Sequence, residues 1–362
     1  MSRFPIFDSR RSLPLSPGSV SARLNEITLL NNIPAAVTIE LTRRCPLSCA
    51  HCYLPETRGR ASASSAYELT TAQWKRILKS LAGAGSVYLV FTGGEPLLRP
   101  DLAVLCRYAK ELRFDVRVYS SGFGMTRART LEFKQAGVSA FEISLYGRAE
   151  THDAVTGLKG SFKKTLAAAI ALKKAGVKVK LKTPLMKANI KERGYLERLA
   201  KEYGFGISFD PVIAPGNDGD TDNLGLRLNS SELAGVLGSL GGRKLRSFSG
   251  STPQLSASHA LSFDFLCGAG RNVAAVDPYG NLSPCLQIPV NLGNISKAPF
   301  KKIWKAAPWL KRWRALKTRD LKECRTCSYL DVCNRCPGIS LIEKKDILAS
   351  NSPACAIARA MR

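Results

Sequence analysis

The chain has 362 residues, 45% of them hydrophobic, and carries 54 Lys+Arg against 28 Asp+Glu, a formal net charge of +26. A chain of that length buries a core without disulfide staples, so its eleven cysteines point to metal binding in a reducing, cytoplasmic setting. No apolar run approaches a membrane span, the polar N-terminus has no apolar signal core, and about half of the basic excess reads as solvated helix faces, the rest as recruitment of an acidic or polyanionic partner.

Residues 1–34 read as an N-terminal extension. Apolar, β-branched runs then recur at 36–42, 86–92, 115–120, 139–145, 177–183 and 206–213. Between most of them lie stretches with helical periodicity, one with Trp74, Ile77, Leu78 and Leu81 on a face, the next with Leu102, Leu105, Cys106 and Ala109. Thr70 or Thr71, Asp101, Ser161 and Asn189 are the expected N-caps. Alternating strand and helix predicts a parallel α/β unit over 35–214. Cys106 belongs to a core face.

The first strand runs into Cys45-Pro46-Leu47-Ser48-Cys49-Ala50-His51-Cys52. Three thiolates at this spacing can hold three irons of a 4Fe–4S cubane and leave the fourth without a protein ligand. Open metal positions are where chemistry happens. A zinc knuckle or buried thiols are the other readings, although His51 directly precedes Cys52 and is poorly placed to complete a zinc site. The second strand ends in Thr92-Gly93-Gly94-Glu95-Pro96. Its glycines let a ligand approach the backbone, and Glu95 offers an acceptor for an ammonium group.

Together these two segments closely resemble the radical S-adenosylmethionine (SAM) enzymes. The resemblance implies a partial (β/α)6 TIM-type barrel with chemistry at its C-terminal mouth. It implies that SAM chelates the open iron of the Cys45/Cys49/Cys52 cluster and that Gly93, Gly94 and Glu95 hold its amino group. His51 matches the aromatic position whose backbone lies near the adenine. Ser121, in Ser120-Ser121-Gly122, and Ser144, ending the fourth strand, are candidate SAM contacts, with strand-end hydrogen bonding as the alternative. His152, in Thr151-His152-Asp153, reads as a cap or a structural hydrogen-bond partner.

From 215 to 259 the chain turns Gly/Ser/Asn-rich, a linker with one modest helix near 231–240. Residues 260–362 then carry Cys267, Cys285, Cys324, Cys327, Cys333, Cys336 and Cys355. This pattern resembles the seven-cysteine SPASM extension of peptide and cofactor maturases, which makes the tail a small cysteine-rich iron–sulfur domain. The resemblance implies two auxiliary 4Fe–4S clusters, one on Cys324, Cys327, Cys333 and Cys355 and one on Cys267, Cys285 and Cys336. Where the family commonly has three residues between the last two cysteines of the central group, Asn334 and Arg335 alone intervene. A zinc ribbon over 324–336 is the other reading. An open iron on the three-cysteine cluster would take His259, Asp264 or Asp277 as its fourth ligand, or bind substrate directly.

The resemblance implies three 4Fe–4S clusters and SAM, a reducing partner such as flavodoxin or ferredoxin, and hydrogen abstraction from a ribosomally made peptide. Any peptide-recognition domain would have to come as a separate protein, because the first thirty-odd residues are too few for one. Cofactor or tetrapyrrole biosynthesis, sulfatase maturation and, in another class, a basic zinc-bearing nucleic-acid-binding protein are the alternatives. Trp304, Trp309 and Trp313 interleave with Lys and Arg, which reads either as a partner surface or as a helix face packed on the cysteine-rich domain.

Overall fold

Six parallel strands and their helices lay down the first part of the chain in the order the periodicities predict. The computed structural model describes residues 20–54, 67–240 and 264–361. α1 (Val20–Leu30) leads into β1 (Ala36–Glu40), α2 (Thr71–Gly83), β2 (Tyr88–Thr92), α3 (Leu102–Glu111), β3 (Asp115–Ser120), α4 (Arg127–Gln135) and β4 (Ala140–Ser144). Then come α5 (Ala149–Thr156), α6 (Ser161–Lys174), β5 (Val179–Pro184), α7 (Arg193–Tyr203), β6 (Gly206–Asp210) and α8 (Ser230–Leu240). The strands neighbour one another in chain order, each parallel to the last.

Period-2 alternation divides the sheet into two chemically different faces. Val37, Ile39, Leu89, Phe91, Val116, Val118, Phe141, Ile143 and Leu181 share one core with the apolar faces of the helices. Trp74, Leu78, Leu81, Leu105 and Cys106 are fully enclosed in it, each contributing roughly 1.5–3 kcal/mol by burial. The opposite face carries Glu40, Arg117, Tyr119, Glu142, Ser144, Lys180, Lys182, Ser208 and Asp210. A parallel sheet covered on both faces is apolar on both. A polar second face therefore marks a space meant for water or a ligand.

Local signals were mixed. Thr70 caps α2 in a full capping box with Gln73, a feature worth about 1 kcal/mol. Asp101 stands at the α3 N-cap without capping it; its carboxylate is taken by Arg99 at 2.7 Å and Thr71 at 2.7 Å. Ser161 is the first residue of α6, behind Gly160. Asp153 does the capping there, accepting from Gly160 N–H and from Phe162 N–H at 2.8 Å. Asn189 ties its side chain to Met186 N–H and the Pro184 carbonyl and does not cap.

The C-terminal segment does not form a sheet of its own. β7 (Val273–Val276) pairs parallel with β1, in register Ala36↔Val273 to Ile39↔Val276, and β8 (Asn281–Ser283) and β9 (Gly293–Asn294) follow antiparallel. Nine strands thus make one sheet among the described residues. α9 (Phe300–Ala306) and α10 (Pro308–Ala315) pack beside it, then α11 (Pro337–Lys344) and α12 (Ser352–Ala360). Trp304 and Trp313 are buried, their indole N–H groups donating to Asn32 O at 2.7 Å and Ala269 O at 2.6 Å. The tryptophans form the inner side of these helices, whereas Lys301, Lys302, Lys305, Lys311 and Arg312 are exposed. No described helix is long and apolar enough to cross a membrane.

Candidate metal centres and cofactor site

The loop after β1 is held by backbone bonds on two sides. Leu41 N–H donates to Thr92 O, Gly94 N–H to Thr42 O and Glu95 N–H to Arg44 O, all at 2.8 Å, so the β1–β2 ladder continues past both strand ends. Ser48 and Ala50 donate to Thr156 O and Val155 O at the end of α5. The glycines serve this packing: a Cβ on Gly93 would be driven into the Thr42 carbonyl, and one on Gly94 into the Arg44 carbonyl. The close approach read from Gly93-Gly94 is thus made by the chain itself. Glu40 closes the base of the loop, accepting from the Tyr53 hydroxyl at 2.8 Å and pairing with Arg43 at 2.8 Å.

Cys45, Cys49 and Cys52 act on one another electrostatically, and burial pushes Cys45 up to about 12 and Cys49 well above its usual range. Thiols so placed stay protonated until a metal takes the proton's place. Glu95 is fully buried. One oxygen accepts from Leu97 N–H at 3.0 Å and Ser120 Oγ at 2.7 Å, the other from Ser121 N–H at 2.8 Å and Ser121 Oγ at 2.5 Å. Burial raises its pKa against these four donors. A carboxylate has about four lone-pair sites, so an incoming ammonium needs one vacated. Two of the four donors are serine hydroxyls, which can rotate where the backbone N–H groups cannot; Ser121 Oγ also accepts from Phe123 N–H at 3.2 Å.

His51 packs edge-on against Tyr146, ring centroids 4.9 Å apart, and burial pulls it down to about 4. Tyr146, two residues beyond the end of β4, lies in a small buried cluster against which Cys49 packs, which sets the end of β4 beside the cysteine loop. His152 stacks on the other side of Tyr146 at 5.3 Å and its Nδ1 accepts Tyr146 N–H at 3.3 Å. It is a structural partner, fully buried and pulled down to about 4 by burial. A histidine whose folded pKa lies below its unfolded value stabilises above the unfolded value, about 6.5, and loses that contribution as pH falls toward 4. The loss should reach about 3 kcal/mol. His152→Phe should therefore narrow its stability gap to the wild type between pH 7 and 5 in urea titrations. A gap independent of pH would show that burial does not depress this group.

The remaining thiols fall into two groups. Cys267, Cys285 and Cys336 interact with one another, all raised by burial, Cys267 to about 12. Cys324, Cys327, Cys333 and Cys355 form the second group, in which burial pushes Cys333 up to about 11. Between them Arg335, 6% exposed, is clamped to the Ile347 and Ala349 carbonyls and acts electrostatically on thiols of both groups. Among the described residues no three His, Cys, Asp or Glu side chains close on a point as a single ion requires. A cavity of about 290 Å³ opens beside Cys285, lined by Glu40, Arg43, Asn217, Asp277 and Ser283 among others.

Residues 39–200 match the Radical SAM superfamily and residues 267–337 the SPASM iron–sulfur cluster-binding domain. A PqqA peptide cyclase of Streptomyces rochei is 30% identical over 353 residues, 90% of each chain. This protein is a radical SAM enzyme. An AdoMet-dependent heme synthase of Methanosarcina barkeri is 28% identical over 354 residues, 90% of this chain and 97% of that one. Streptococcus suis SuiB bound to its precursor peptide SuiA has the same fold, with a TM-score of 0.70 at 16% identity over 92% of this chain and 79% of that one.

The donor set suits radical SAM chemistry. Three thiols around one loop leave a cubane one iron open, and the 3/3/4 grouping supplies ten cysteines in cluster-sized sets. The zinc-bearing nucleic-acid reading falls with the family assignment and with the buried tryptophans. Of the fourth-ligand candidates, Asp277 is committed to the β7–β8 turn through Tyr279, Asn281 N–H and the Asn281 amide. Asp264 accepts from Thr318 N–H at the surface. His259 lies outside the described residues. The inner-face charges of β3–β6 were missed from sequence, although the alternation in Asp115–Ser120 and Val179–Pro184 carried the signal. Asp210, half-buried and with its pKa raised by desolvation, acts on both Lys182 and Cys336.

Proposed function

We propose that the protein is a maturase that oxidises or cross-links a ribosomally made peptide, using one SAM-binding and two auxiliary 4Fe–4S clusters. The observation that carries this reading is the separation of ten cysteines into groups of three, three and four, the first at the mouth of a barrel with a polar inner face. With SAM and reduced iron–sulfur present, these groups supply reductive cleavage of SAM and abstraction of a substrate hydrogen by the 5′-deoxyadenosyl fragment.

The chain's own residues do the rest. Cys45, Cys49 and Cys52 would hold the SAM cluster; Cys267, Cys285 and Cys336 one auxiliary cluster; Cys324, Cys327, Cys333 and Cys355 the other. Glu95, once a serine hydroxyl turns away, would take the ammonium of SAM, with Gly93 and Gly94 fixing the loop beneath. His51, which packs on Tyr146, and Ser144, which ends the strand leading to it, line the same place. Arg335 places a buried cation between the auxiliary groups, which favours their reduced, more negative state. Flavodoxin or ferredoxin in the cytoplasm would supply the electron, and residues 260–362 would act as the electron-relay part of the chain.

A peptide substrate is supported by the Streptomyces relative named a peptide cyclase. A tetrapyrrole substrate is a second reading, favoured by the Methanosarcina heme synthase, which this chain matches over nearly its whole length. Anaerobic reconstitution should give about 12 irons and 12 sulfides per chain. Dithionite and SAM should then yield 5′-deoxyadenosine. Deuterium should pass into that product from a deuterated peptide and not from deuterated iron coproporphyrin. Saturation at four irons would overturn the three-cluster assignment, and transfer from the porphyrin would overturn the peptide.

A further inference from the structure

On the inner face, β3, β4 and β5 bring Tyr119, Glu142, Lys180 and Lys182 into one patch. The register sets Tyr119 beside Glu142, Glu142 beside Lys180 and Ser144 beside Lys182. Glu142 is 1% exposed. Arg117 approaches it to 3.8 Å and Lys182 to 3.9 Å, both too far for a hydrogen bond. Arg117 spends its hydrogen bonds on Asp115, at 3.2 Å. The Lys182 ammonium lies 4.2 Å from the centre of the Tyr119 ring, a cation–π contact that places it without using its three donors. Among the described residues no hydrogen bond holds the ammonium of Lys180 or Lys182.

Lys180 and Lys182 face Glu142 and, from β6, Asp210, while Arg117 is paired with Asp115. Burial raises the pKa of Glu142 and lowers that of Lys180. The Lys182 side chain is 29% exposed and its three donors are unspent, which leaves it open to an incoming anion. The patch also lies towards the cysteine loop, because Ser144, the register partner of Lys182, ends the strand that leads to Tyr146, and Cys49 packs against the buried cluster of Tyr146.

We propose that Lys182, backed by Lys180, binds a carboxylate of the substrate on the inner face of the barrel, with Tyr119 and Glu142 as its positioning residues. The inference rests on the radical SAM reading in that the substrate must enter the barrel beside SAM. Its chemistry is shared by an acidic peptide side chain and a tetrapyrrole propionate.

The test uses the reconstituted holoenzyme with SAM and two probe pairs: a synthetic peptide containing one Glu against its Gln analogue, and iron coproporphyrin III against its tetramethyl ester. Calorimetry should show the acid of one pair binding about ten- to a hundredfold tighter than its neutral analogue, as a charged hydrogen bond predicts. The pair that discriminates names the source of the carboxylate. Lys182→Met should erase the preference, and Lys182→Arg should keep most of it. Should Lys182→Met assemble with less iron than the wild type, Lys182→Gln is read in its place. Equal affinity within both pairs, or a preference surviving Lys182→Met, would overturn the proposal. Wild type that makes no 5′-deoxyadenosine would overturn the underlying reading, and this one with it.

Discussion

Replacing Cys45, Cys49 and Cys52 together by Ala is expected to abolish 5′-deoxyadenosine formation and to remove about a third of the iron. The loss should be total because, among the described residues, no other thiol group lies beside the proposed SAM contacts Glu95 and Ser144. The fold should survive it. The loop is fixed by backbone bonds of Ser48, Ala50, Gly94 and Glu95, none of which uses a thiol. Iron and sulfide assays with a thermal melt would check both halves. A variant that still cleaves SAM would refute the assignment of this loop. A variant that loses all its iron would refute the independence of the three groups.

The second large effect is expected far from that loop. Gly338 follows Cys336 and Pro337 in the first turn of α11, and a Cβ there would be driven into the backbone carbonyl of Gln287, two residues beyond Cys285. A backbone carbonyl cannot swing aside as a long side chain can. Gly338→Ala should therefore push Cys336 and Cys285 apart, at a cost of about 1–3 kcal/mol or more. It should erase the EPR signal of the Cys267/Cys285/Cys336 cluster while the other two remain. Gly235→Ala is the matched control. It stands in open space on α8, where Ala should stabilise by up to about 1 kcal/mol. An intact three-cluster EPR spectrum from Gly338→Ala would show that α11 can shift without disturbing its cysteine.

Much of the scaffold was legible because its signals are local. The six strand runs and the face Trp74–Ile77–Leu78–Leu81 depend on period alone, and the capping box at Thr70 lies within four residues. The cysteine spacings marked the segments, and the family resemblance, not the spacing, implied how the thiols would be shared. What sequence could not supply was anything set by distant partners. Asp101 looked like a cap until Arg99 and Thr71 took its carboxylate. Glu95 looked open until Ser120 and Ser121 from the next strand filled its lone pairs. Lys182 and Glu142 drew no reading from sequence, because only the register of β4 on β5 brings them to one patch. The tryptophans of α9 and α10 became core once Asn32 and Ala269 claimed their indole donors.

The pairing of β7 with β1 sets how the chain can be cut. β1 has β2 on one side and β7 on the other, so its backbone is spoken for along both margins. A chain shortened after α8 would leave Ala36 to Ile39 with an open row of amides and carbonyls, flanked by the apolar Val37 and Ile39. Such a margin invites another strand, from a second copy or from a misfolded neighbour. The cysteine-rich tail therefore acts as a seam for the barrel, and a truncated barrel should precipitate even where SAM binding needs none of the residues removed.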